Sequence, residues 1–123
     1  MSISLKLMIV ENAGANFAFV RTCLQIEEVK EFYDNLINLS ILKGKSVPDE
    51  FNCGEARDAT DKMTIYGNVQ EDSYGDPLKT LTVAQLLKFA EDNPAILSNF
   101  DARAAWAYLA VIKPETRVAL YWH

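Results

Sequence analysis

Hydrolytic chemistry of the Ser/His/Asp or Cys/His kind requires an imidazole held beside a nucleophile. This 123-residue sequence has one histidine, His123, in its last position, where little chain surrounds it to fix a general base. Cys53 in "FNCGEAR" stands four residues before Arg57, and a guanidinium folded back onto it would lower the thiol pKa. A semi-buried loop thiol explains the same residue without chemistry. Zinc asks for about four Cys, His or carboxylate ligands at close spacing, more than two separated cysteines and one histidine provide. The carboxylates of "DATD" and "EDSYGD" could face calcium or magnesium, but neither follows the EF-hand order and Gly75 lies off the required offset. No phosphate loop or dinucleotide fingerprint occurs, and "NAGAN" has neither the glycine spacing nor the following helix. No catalytic residue, metal site or cofactor is expected.

Carboxylate crowding is the more informative pattern. The chain carries −5 overall, yet Asp49 to Pro77 alone holds eight acids against Arg57 and Lys62. The rest is therefore close to neutral, and the acidity is regional. A phosphate backbone would be repelled there, which argues against direct nucleic-acid binding. Tyr74 stands among Glu71, Asp72 and Asp76 in "QEDSYGDPLKTLT", an aromatic with an acidic rim as at many binding surfaces. The plain reading of "SYGDP" is a turn, with Gly for φ, Asp as a local acceptor and Pro for preset φ.

The expectation is a non-enzymatic acidic protein that binds and inhibits or regulates a larger partner with a basic surface. Immunity proteins, inhibitors of host defence and mimics of nucleic acid work by this physics, in which a single-sign patch speeds encounter and rejects wrong partners. The partner-binding candidates are Asp49, Glu50, Glu55, Asp58, Asp61, Glu71, Asp72, Tyr74 and Asp76. The alternative is a small-ligand-binding domain or minor enzyme whose pocket lies between the sheet and the 44–80 loop. Cys53, Arg57, Asp58 and Tyr66 would then be its polar lining. A third reading docks the alanine-rich helix on a second copy of the chain, which leaves a homo-oligomer open.

The elements that must position these residues are legible from periodicity. Length fits one domain with a real core. The start, "MSISLKLMIVENAG", has too brief an apolar segment for a signal peptide and no apolar run is long enough for a membrane span. With no disulfide pattern, reduced thiols and a cytoplasmic location are expected. Ile3, Leu5, Leu7 and Ile9 alternate as in a strand, and "FAFVRTCLQI" reads as its hairpin partner after "ENAGAN". From Glu27, Val29, Phe32, Tyr33, Leu36 and Ile37 make a helical stripe, stopped at Gly44. Residues 44–62 lack a period and are expected as loop with at most one helical turn, before a weak strand in "KMTIYGNVQ".

Thr82 and Gln85 fit a capping box, with Leu81 and Leu86 as its hydrophobic staple, for a helix that stops before Pro94. A further helix is expected from Asn99 to Ile112, slim at four alanines and ended by Pro114. "TRVALYWH" alternates as a terminal strand. Phe17, Phe19, Phe32, Phe89, Phe100, Trp106 and Trp122 are expected in the core. The order predicts an α+β fold: an antiparallel sheet of three to four strands, built mainly from the first, second and last, with about three helices mainly on one face.

Overall fold

A computed structural model of the chain describes residues 3–14, 16–52, 55–57, 63–65 and 69–123, with 55–57 and 63–65 described by their backbone. In chain order come strands β1 (Leu5–Asn12) and β2 (Phe17–Ile26), helix α1 (Tyr33–Lys43) and strands β3 (Lys45–Ser46), β4 (Glu50–Asn52), β5 (Glu55–Arg57), β6 (Met63–Ile65) and β7 (Lys79–Thr82). Helix α2 (Val83–Asp92), a 3-10 segment at Pro94–Ser98, helix α3 (Phe100–Leu109) and strand β8 (Arg117–Trp122) complete them. The fold is α+β.

Six strands form one sheet in the order β3-β7-β8-β1-β2-β4, and β5 pairs with β6 in a separate two-stranded ribbon. Every neighbour in the large sheet is antiparallel except β2 and β4, which run parallel from Phe17↔Glu50 to Phe19↔Asn52. Both outermost strands are very short, which limits edge-to-edge pairing. The β1–β2 register shifts between Ile9↔Thr22 and Val10↔Val20, so Arg21 is the extra residue of a bulge.

Alternation along β1 assigns its side chains to two cores. Leu5, Leu7 and Ile9 join Val118, Leu120 and Trp122 of β8 and buried residues of all three helices, among them Leu36, Leu86, Phe89 and Trp106. Met8 and Val10 point the other way and pack with Ala18, Val47, Phe51, Leu78 and Ala119. In the helix-side core the Trp106 ring meets Phe32 edge-on, and its indole N–H donates to the Leu86 carbonyl at 2.7 Å. That bond satisfies a buried donor where α3 crosses α2. Ala102 and Ala105 are buried, whereas Ala104 and Ala107 face solvent, so half of the alanine surface serves the core.

Several sequence expectations are corrected. The sheet has six strands and is mixed, where three to four antiparallel ones were expected. The missing strands are the short β3, β4 and β7, which carry too few residues for a period of two to stand out. Residues 44–62 were expected as loop but hold β3, β4 and β5. The weak strand in "KMTIYGNVQ" exists as β6, but it pairs with β5. Helix α1 begins at Tyr33 and not at Glu27. Before it, Glu28 takes a φ of 56° and the Val29 amide donates to the Ile3 carbonyl at 2.9 Å, so this segment is tied to the start of the sheet. Helix α3 ends at Leu109, short of Ile112. Phe17 and Phe100 are surface residues, Phe100 being 73 % exposed with the Arg103 guanidinium 5.7 Å from its ring.

Candidate functional site

Residues 69–78 leave the region around β4 and return the chain to β7 through a tight turn. The Asp72 carbonyl accepts from the Gly75 amide at 3.1 Å, and the Asp72 amide donates to the Asp76 carbonyl at 2.9 Å. Gly75 takes a φ of 85°, open to glycine and disfavoured for other residues. One Asp72 carboxylate oxygen accepts from both the Tyr74 amide at 2.9 Å and the Asp76 amide at 3.1 Å. Aspartate at the first turn position and glycine at the fourth are the residues this geometry favours. Ser73 fastens the turn to the end of β8, its amide and hydroxyl both donating to the Trp122 carbonyl at 3.2 and 3.0 Å.

The same loop is stitched to the segment before β4. The Gln70 side-chain amide donates to the Pro48 and Asp49 carbonyls at 2.9 and 3.0 Å, and the Val69 amide donates to the Phe51 carbonyl at 2.9 Å. Two acidic stretches about twenty residues apart in sequence therefore lie side by side. Asp49, Glu50, Glu71 and Asp76 are exposed, as is Tyr74 at 46 %. Asp72 is the exception: it is 8 % exposed and its carboxylate holds the turn, so it is withdrawn from the outer surface. Glu55 lies on β5, and Asp58 and Asp61 fall outside the described residues. Of the alternative lining, Arg57 lies on β5, while Cys53 and Tyr66 also fall outside them.

Beneath the turn, between α1 and β8, is a cavity of about 290 Å³. Tyr33 and Ile37 of α1 form one wall, Asp72, Asp76 and Lys79 the opposite side, and Trp122 the base. The Tyr33 and Trp122 rings meet edge-on with centroids 4.9 Å apart. Burial pushes the Tyr33 hydroxyl pKa up, and the charges of Asp76 and Asp72 push it the same way. Sequence reasoning placed Tyr33 on the helical stripe and Trp122 in the core; their convergence on the acidic turn depends on α1 lying over β8, which no local pattern encodes. A shallower groove of about 610 Å³ runs between α1 and α2, lined in part by Leu39, Leu42 and Phe89.

Among the described residues no side chains assemble a nucleophile with a general base. The His123 ring is lowered in pKa by burial and by the charge of Lys6, against the weaker pull of Glu27, and its Nε2 is buried without a partner. Cys23 is exposed to solvent, and desolvation by the neighbouring strands raises its thiol pKa more than Lys6 lowers it. No group of three or more His, Cys, Asp or Glu among the described residues could hold a metal ion, and no helix there is long and apolar enough to cross a membrane. The cavity brings the Asp72 and Asp76 carboxylates and the Lys79 ammonium together with the Tyr33 phenol and the Trp122 ring. No family model, curated protein or solved structure matches the chain.

Proposed function

We propose that the protein is a non-enzymatic interaction module whose acidic face engages a basic surface on a larger protein partner and inhibits or regulates it. One observation carries this reading: the Gln70 side chain ties the backbone at Pro48 and Asp49 to the loop that ends in an ordered turn, so that exposed acids lie on two joined segments, one of which presents an exposed Tyr74. A pre-ordered patch loses little conformational freedom on binding, and concentrated charge steers encounter. The partner is a protein and not nucleic acid, because the face repels phosphate.

The test is capture of partners from a native lysate by the tagged chain at low and high salt, beside a Glu50→Lys, Glu71→Lys variant. A partner bound at low salt, released at high salt and lost by the folded variant is expected. Equal capture by the variant would sink the reading.

A second reading, a small-ligand-binding domain, is favoured by the cavity under the same turn, which lies between the sheet and the loop. Thermal shift against metabolites separates the two: a ligand that stabilises the isolated chain supports this second reading.

A further inference from the structure

We infer that the cavity between α1 and the 69–78 turn is a receptor for a primary alkylammonium group, supplied by a lysine side chain of the partner that the acidic face binds. The inference rests on that proposed interface and names the chemistry of its anchor.

The cavity lining runs from buried to exposed residues. Trp122 and Leu120 form its base at 4 % and 1 % exposure, while Ile41 at its mouth is 68 % exposed. At about 290 Å³ it lies just below the range for organic ligands, roughly 300–1,000 Å³. That suits one long side chain better than a cofactor. Its walls also suit a lysine in particular: Ile37, Ile41 and the Trp122 ring offer apolar surface to a methylene stem, and a stem of this kind buries readily while its head stays polar.

The head group follows from the charges. Asp72 and Asp76 both line the cavity, and among the described residues neither takes part in an ion pair. The Asp72 carboxylate already accepts two amides through one oxygen, so it is fixed in place before any ligand arrives. The Tyr33 hydroxyl feels both carboxylates, since their charges help raise its pKa. A cation between them would gain from fixed negative charge and from the aromatic ring nearby. An ammonium is favoured over a guanidinium because one Asp72 oxygen is already taken by two amides, whereas the planar fork needs a free bidentate partner. Lys79 lies in the same lining with the ligand's own sign. Its position weakens binding, and this makes the assignment testable in both directions.

The experiment is a titration of the isotopically labelled full chain, followed by amide and indole NMR shifts. Three probes are used: Nα-acetyl-lysine N-methylamide, its Nε-acetylated form and free n-butylammonium. Saturable shifts at Tyr33, Ser40 and the Trp122 indole are expected with the first and none with the second. Asp76→Asn, which leaves the turn's backbone bonds in place, is expected to weaken affinity about tenfold, the loss of about 1.4 kcal/mol. Lys79→Met is expected to tighten it. Absence of saturable shifts, equal shifts from the Nε-acetylated probe, or indifference to Asp76→Asn overturns the assignment. Clearly tighter binding of n-butylammonium than of the capped lysine overturns the lysine source. The isolated chain is enough for this measurement, and Glu50 and Glu71 lie outside the cavity lining. A blank titration with partner capture intact therefore refutes the anchor alone, and a positive titration with no captured partner refutes the interface alone.

Discussion

Gly44 follows the last residue of α1 with an extended backbone, φ −70° and ψ 151°, so left-handed freedom is not what it supplies. Its amide donates to the Ser40 carbonyl at 2.8 Å, and a Cβ built on it would collide with that same carbonyl oxygen and stand 3.1 Å from the Lys79 Cβ. The colliding atom is backbone and cannot swing away. Gly75 is the opposite case: its φ of 85° favours glycine, but a Cβ there meets nothing within 4 Å. Gly44→Ala is expected to destabilise the protein by about 2–3 kcal/mol through displaced backbone, and Gly75→Ala by about 1 kcal/mol through conformation alone. Urea unfolding of the two variants checks the order, and a larger loss at Gly75 would refute the collision argument. His123 carries a prediction of a different kind. Burial and Lys6 hold its folded pKa below the ordinary value, with Glu27 opposing. The unfolded chain therefore takes up the proton first as pH falls. The stability concerned is fully present above about pH 6.5 and is lost through the window down to the folded pKa. His123→Gln should flatten the fall in urea midpoint between neutral pH and the carboxylate range. Identical pH slopes in the two proteins would count against desolvation of the half-buried imidazole.

Helix α2 begins where β7 ends, without an intervening turn. Thr82 closes the strand opposite Arg117 and also caps the helix. Its hydroxyl accepts from the Gln85 amide at 3.1 Å, and its own amide donates to the Gln85 side chain at 2.9 Å. The capping box was legible because it needs only two residue types at a fixed spacing. The strand joined to it was not, because four residues are too few to establish a period and Leu81 already served as half of a staple. The same contrast runs through the fold. β2 was readable from Phe17 to Ile26, being long and rich in β-branched and aromatic residues, whereas β3 and β4 have two and three residues. The acidic turn was legible as a turn, yet the inward aim of Asp72 was not: Glu71, Asp72 and Asp76 look alike until the backbone decides which one reaches two amides. Thr82→Ala is expected to cost about 1 kcal/mol, with Thr82→Ser restoring most of it. If Ser is as destabilising as Ala, the β-branched fit in β7 matters more than the cap.

The two cores share one sheet and therefore one transition. β1 sends Leu5, Leu7 and Ile9 into the helix-side core and Met8 and Val10 into the other, while β8 sends Val118, Leu120 and Trp122 one way and Ala119 the other. A reading of β1 by period two counts Met8 as outward, so the second core was hidden in a position that looked exposed. What covers Met8 and Val10 includes Phe51 and Leu78, the two fully buried side chains that flank the acidic loop. The loop's order, and with it the geometry of Tyr74 and the cavity, depends on that second core. Phe51→Ala leaves a large void and is expected to cost about 3–5 kcal/mol, a sizeable part of the 5–15 kcal/mol typical of a whole domain. Because neither core can open without unpairing β1 from its neighbours, the loss should appear on the far side of the sheet as well. Trp106 and Trp122 belong to the helix-side core and report on it by fluorescence. In Phe51→Ala their unfolding midpoint in urea should fall together with the far-ultraviolet dichroism transition, with both curves still superimposed. A tryptophan transition unmoved by the substitution would mean that the Phe51 layer melts by itself, and that the acidic face can be lost while the helical half of the protein stands.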